Sequence, residues 1–271
     1  MQALPTGLLL LALGAVPGSL LTDLLVPDRA AFERRTLAAI AGVSLLTIVA
    51  YLCAMAGALL AAPYVLGAMA LGLGLLRFRR FRWYAVGAHP YPLGAGPTLA
   101  ATLAIAATLA AFAAPLLLRP VPQGWDPAFH SAIIDGIQGS GALPTTWGPY
   151  EPGEKFNYPA ALHAAIALYA RLSGVPADLA FTHAFLLLGA LMLLCVFALG
   201  FVFAGGSRGG VLAVLVYGFS DGWGTLTGHA GWGGLPNLAG LVLMSGFVLA
   251  VSGCLRDRKS TRLNSSHATL S

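Results

Sequence analysis

Long apolar runs constrain this chain more than any other feature. Its apolar stretches continue for about 15–27 residues, and residues 179–203 contain no Asp, Glu, Lys or Arg at all. A run of that length matches the roughly 30 Å hydrocarbon core of a bilayer. Backbone polar groups placed there must be satisfied internally, which leaves helices or closed barrels. The apolar residues are continuous and do not alternate with period two, so the spans are helical. Composition agrees: of 271 residues, 58% are hydrophobic and 9% are charged, against roughly 25% charged in a soluble domain. Too little charge is present to cover a water-facing surface. A soluble enzyme, a nucleic-acid-binding module and a disordered chain are excluded. The expected fold is all-α, a polytopic helical membrane protein with about seven transmembrane helices and juxtamembrane helices in an outer loop.

The seven expected spans are residues 4–25, 37–60, 62–76, 97–118, 179–203, 209–219 and 236–255, the sixth being short. Positively charged loops stay cytoplasmic. Arg29, Arg34 and Arg35 follow the first span, and Arg77, Arg79, Arg80 and Arg82 follow the third. An even number of spans separates the two loops, so both fall inside and the long loop 119–157 falls outside. That loop holds Asp126, Asp135, Glu151 and Glu154 against Arg119 and Lys155. Residues 158–172 are too short and amphipathic to span comfortably. Laid along the outer interface, they put Arg208 and Arg256 inside and the glycine-rich segment 220–235 outside. Four of the five tryptophans, Trp125, Trp147, Trp223 and Trp232, then lie in the two outer loops.

The string from Asp257 onward reads like a translated sequencing adapter. Without it the chain carries 12 Lys+Arg and 9 Asp+Glu, and the natural protein is expected to continue past Arg256. Residues 1–96 form N-terminal spans, and 97–256 a core around the outer loop. Cys53, Cys195 and Cys254 all sit in apolar runs. They read as small buried hydrophobes, not as a disulfide or thiolate framework.

Three constellations could carry chemistry. Trp125-Asp126-Pro127-Ala128-Phe129-His130 opens a short helix, with Asp126 as cap and Pro127 in its first turn. Phe129, Ile133, Ile134 and Ile137 make its apolar stripe. His130 shares that side, while Asp135 faces water. Asp126 is either a helix cap or a carboxylate acting as base or metal ligand, and one residue can do both. The second constellation is extended and proline-broken: Glu151, Glu154, Lys155, Tyr158 and, one turn into the next helix, His163. Glu151 and Glu154 fit a surface pair, Lys155 an anionic head group, and His163 a phosphate contact or a snorkelling side chain. The third is Asp221, Trp223, His229 and Trp232 among glycines that allow close backbone approach. Trp223 and Trp232 suit the apolar faces of sugar rings. Asp126, Asp221 and His229 could share a divalent cation, which prefers hard oxygen ligands. His183 reads as a packing or helix-pairing residue.

This order of features, an Asp-bearing outer loop, the segment Phe156-Asn157-Tyr158-Pro159-Ala160-Ala161-Leu162-His163, a span ending at Gly205-Gly206-Ser207-Arg208-Gly209, and a second outer loop with Asp221, resembles the GT-C-type integral membrane glycosyltransferases. The resemblance covers residues 97–255. It implies transfer of a sugar from a polyprenyl-phosphate donor to an acceptor at the non-cytoplasmic face of a bacterial or archaeal plasma membrane. It also implies Asp126 as base or metal ligand and Asp221 as a second acidic site, with Mg or Mn as the candidate ion. His130, Glu151, Lys155, Tyr158, His163, Trp223, His229 and Trp232 would be substrate contacts. The expected partners are the bilayer and the lipid-linked donor, with no nucleic acid. A transporter or flippase of a lipid-linked or small polar solute, and a non-catalytic assembly subunit, are the alternatives.

Overall fold

The computed structural model describes residues 3–26, 31–81, 95–118, 125–147, 151–220, 222 and 225–268. Helix α1 (Ala3–Leu25) and α2 (Ala31–Met55) form an antiparallel pair, and a 3₁₀ turn (Leu59–Ala61) leads into α3 (Ala62–Phe81). Then come α4 (Ala95–Leu118), α5 (Trp125–Ser140), a hairpin of β1 (Thr146–Trp147) and β2 (Glu151–Lys155), and α6 (Ala161–Ser173). The chain closes with α7 (Ala177–Phe203), α8 (Ser207–Phe219), α9 (Leu226–Trp232) and α10 (Leu235–Ala268). Six helices among the described residues are long and apolar enough to cross a bilayer: α1, α2, α3, α4, α7 and the first part of α10, Leu235–Ser252. The all-helical polytopic expectation therefore holds.

Close helix approach is written into the α1–α2 crossing. A Cβ on Gly18 would lie 2.5 Å from the Ala38 carbonyl oxygen, and one on Gly42 would lie 2.8 Å from the Gly14 carbonyl oxygen. Lipid tails are as apolar as leucine, so helices in a bilayer gain from packing backbones together, and small residues permit it. At one end of this pair Asp23 binds Arg77 at 3.0 Å and Arg34 at 3.8 Å. The two arginine-bearing loops predicted to share a membrane face do share one. At the other end of α2, Leu59 donates to the Gly141 carbonyl (3.2 Å) and Leu143 to the Ala54 carbonyl (3.1 Å). Residues 34 and 54 of α2 stand about 30 Å apart at 1.5 Å per residue. The end of α5 is thus anchored at the face opposite the arginines.

Three expectations need correction. The sixth span is α8, and its 13 residues reach only about 20 Å, short of a bilayer core. Gly218 near its end packs on the Thr108 side chain, ten residues before α4 ends at Leu118. The described residues 225–235, expected in an outer loop, instead pack against the bundle through α9. Leu226 of α9 is fully buried and shares with Phe112 the space above Gly189 of α7. Irregular backbone at such depth is tolerated where protein covers it. The third correction is α6. It does not lay a whole face on lipid, because protein buries eight of its 13 residues. Leu162, Ile166 and Tyr169 share an apolar cavity of about 480 Å³ with Leu46 of α2, His183 of α7 and residues of α1. Residues 163–168 are buried in an unbroken run, so more than a full turn of α6 meets protein on every side.

Candidate functional site

Helices α5 and α6 lie side by side and run the same way. His130 of α5 meets His163 of α6, with 2.9 Å between His130 Nδ1 and His163 Nε2. Eight residues further along each helix, Arg171 donates to the Gln138 carbonyl at 3.0 Å. Gln138 in turn donates to the Val175 carbonyl at 3.4 Å. The chain then turns at Gly174, in the left-handed region, and α7 returns antiparallel. This return lays Phe181 flat on the His130 ring, with centroids 5.8 Å apart and planes 18° from parallel.

Ile133, Ile134 and Ile137 are buried and Asp135 is exposed, as the helical spacing predicts. Asp126 falls in the first turn of α5, where a carboxylate complements the helix dipole, and it is exposed. One turn in, His130 is 5% exposed and His163 only 2%. Burial pushes the His130 pKa down, against the opposing pull of the Asp126 charge. Burial, followed by the neighbouring His130, takes His163 down to about 3. Both are neutral rings at physiological pH. Tyr158 is pushed up by burial and then by Asp126. The carboxylate therefore sits within electrostatic reach of both His130 and Tyr158.

Aromatic rings close over this group. Phe129 contacts Trp147 at 5.2 Å and Tyr158 at 5.3 Å between centroids, and Trp147 contacts Phe156 at 4.7 Å. The β1–β2 hairpin holds this cover: Thr146 pairs with Lys155 and Trp147 with Glu151. The segment expected to be extended and irregular is an antiparallel ribbon whose register shifts between Thr146 and Trp147. Glu154 and Lys155 are exposed on it.

The third constellation reaches the same place from the other direction. Thr225 caps α9 by accepting from the Gly228 amide at 3.2 Å. At its far end Gly233, with φ +82°, sits against the Pro127 ring, where any Cβ would overlap it. The α9–α10 turn thus rests on the first turn of α5, next to Asp126. His229 faces inward, 3% exposed, and its Nδ1 is 2.7 Å from the Thr225 carbonyl. That bond fixes Nδ1 as its N–H. Asp221 and Trp223 lie outside the described residues, as does the expected pairing of Asp221 with Asp126. Trp232 is the last residue of α9. Among the described residues no three His, Cys, Asp or Glu side chains converge as metal ligands. Among the described residues, those near Asp126 are two histidines whose facing nitrogens bond each other, and the second expected acid, Asp221, lies outside them.

The sequence profile described as "Family of unknown function (DUF6541)" matches residues 11–270. The chain belongs to this family. No curated protein and no solved structure matches it. The DUF6541 match covers both the N-terminal spans and the α5–α6 site.

The histidine pair itself was not predicted from sequence, although each histidine was singled out. A signal does exist: Pro127 and Pro159 each open a helix, and a histidine follows three or four residues later in each. Phe181 gave no signal, because only the return of α7 brings it to His130. His183 behaves as a helix-pairing residue, with its Nδ1 2.8 Å from the Tyr169 hydroxyl of α6.

Proposed function

We propose that this chain is a membrane glycosyltransferase that moves a sugar from a polyprenyl-phosphate donor to an acceptor at the non-cytoplasmic face. The observation that carries the reading is Asp126, an exposed carboxylate in the first turn of α5, one turn before a neutral, buried histidine pair. The positive-inside rule assigns the arginine end to the cytoplasm, and the far end of α5, where Gly141 accepts from Leu59, to the other side. Asp126 takes the acceptor proton, the acceptor oxygen attacks C1 of the sugar, and the C1–O bond to phosphate breaks. The lipid phosphate leaves with the electron pair. Lys155 and His130 are the groups of this chain that suit the leaving phosphate. Trp147 and Tyr158 offer ring faces to the sugar. No step is routed through a divalent cation.

The full-length Asp126→Asn variant, expressed at normal level in the native membrane, tests this. Glycan and glycolipid products are read by mass spectrometry. Loss of one product with build-up of its lipid-linked donor is expected, and an unchanged profile overturns the reading. Transport of a lipid-linked or small polar solute is the second reading, and the broken α8–α9 passage favours it, since discontinuous helices build many transporter sites. For a transporter, Asp126→Asn leaves the chemical identity of every product intact and changes only its side of the membrane.

A further inference from the structure

The hydrogen bond between His130 and His163 can be drawn in two ways, and the surroundings distinguish them. Both rings are neutral, so each carries one N–H. In the first arrangement His163 Nε2–H donates to His130 Nδ1. His163 Nδ1 is then a bare lone pair, and the His130 proton sits on Nε2. In the second, His130 Nδ1–H donates to His163 Nε2. His163 must then carry its proton on Nδ1, and His130 presents a lone pair on Nε2.

His163 Nδ1 is buried and has no hydrogen-bond partner. The second arrangement would strand a donor N–H there, and orphaned buried N–H groups are rarer in proteins than under-used acceptors. It would also leave a lone pair on the His130 ring, which feels the Asp126 charge. Asp126 lies one turn N-terminal on α5, and helical side chains lean toward the N-terminus. A lone pair facing a carboxylate is repelled, and an N–H facing one is favoured. Both arguments select the first arrangement.

We propose that His163 is a positioning residue that holds His130 as its Nε2–H tautomer, so that His130 presents a fixed N–H donor to an anionic phosphate oxygen beside Asp126. Phe181 stacked on the ring and the 2.9 Å bond together restrain its plane and its tilt. A donor aimed before the leaving group forms needs no reorganisation when negative charge develops. The phosphate ligand rests on the glycosyl-transfer reading, whereas the tautomer does not.

The experiment uses the full chain in lipid nanodiscs with ¹⁵N-labelled histidine rings, observed by NMR at pH 7. Both His130 and His163 are expected as Nε2–H forms. A His130 Nδ1–H signal overturns the proposal, even where Asp126→Asn abolishes product. His163→Gln keeps a donor near the Nε2 position and should preserve the His130 tautomer. His163→Phe removes it and should give a mixture of both tautomers; an unaltered His130 signal in His163→Phe refutes the positioning role. Where His163→Phe does not fold, the wild-type signals alone decide. Dodecyl phosphate in the nanodisc, and inorganic phosphate as the lipid-free probe, should shift the His130 Nε2–H resonance. A shift with either supports phosphate recognition, one confined to dodecyl phosphate assigns it to a lipid phosphate, and no shift with either overturns it. Unchanged products in Asp126→Asn remove the transferase reading and leave the tautomer assignment to the NMR.

Discussion

Acid should weaken this fold through His163 in a way that one substitution can isolate. The unfolded chain takes up a proton on this imidazole near pH 6.5, and the folded chain not until about pH 3. Between those values the unfolded state holds more protons, so stability is fully present above pH 6.5 and falls as the pH drops. At pH 5.0 the binding ratio is about 30-fold, a loss of about 2 kcal/mol from this residue. Burial is nearly complete, so solvent screening takes little from that figure. For a protein of this size, about 2 kcal/mol corresponds to a Tm shift of roughly 4–8 °C. His130 adds to the effect in the same direction. The comparison is between wild type and His163→Phe, which keeps a ring in the site and removes the titrating group. Unfolding in mild detergent, followed by tryptophan fluorescence at pH 7.5, 6.5 and 5.0, gives both curves. Carboxylates elsewhere titrate in both proteins and cancel. The variant starts lower at pH 7.5, because it leaves His130 Nδ1 without a donor, and it loses less on acidification. Parallel pH curves would refute the reasoning.

Other perturbations follow from the packing. Gly18→Leu puts a side chain into the Ala38 and Gly42 backbone and should cost about 1–3 kcal/mol of overpacking; wild-type thermostability in detergent would contradict the close crossing. Gly218→Val collides with the Thr108 side chain, so Thr108→Ala should restore part of the lost stability, and strictly additive effects in the double-mutant cycle would deny the contact. Asp23→Asn removes the carboxylate that Arg34 and Arg77 share, but part-exposed pairs contribute only about 0–1 kcal/mol. A shift of a few degrees in Tm is expected, and a collapse of the fold would show that the pair does more than join the two loops.

The spans were legible because their signal is local: each is a run of apolar residues that needs no partner to be recognised. Arg34 and Arg77 were assigned to one face by counting spans, and Asp23 binds them both. Ile133, Ile134 and Ile137 announced the buried side of α5 by their spacing. The half-length elements were harder. Nothing in residues 207–219 says that α8 stops beside Thr108, because that depends on how α4 is placed against it. For α6, amphipathic spacing suggested a helix on a surface, while α1, α2, α5 and α7 enclose it. At the site, Asp126, His130 and His163 were each visible as unusual residues beside helix-opening prolines. Their convergence was not visible, since it needs α5 and α6 to run parallel across a hairpin and α7 to return Phe181 onto the His130 ring.

The short reach of α8 bears on the membrane as well as on the protein. A bilayer meets about 30 Å of apolar surface along α2 and about 20 Å along α8. On the α8 side the lipid must thin, or the α9 passage must cover the remainder, and either adjustment costs a fraction of a kcal/mol per ångström of mismatch. The protein is thus fitted to two thicknesses at once. Shorter-chain lipids relieve the thin side and strain the α1–α2 side, and longer-chain lipids do the reverse. Acyl-chain length becomes a lever on the segment that Gly233 presses against Pro127, beside Asp126.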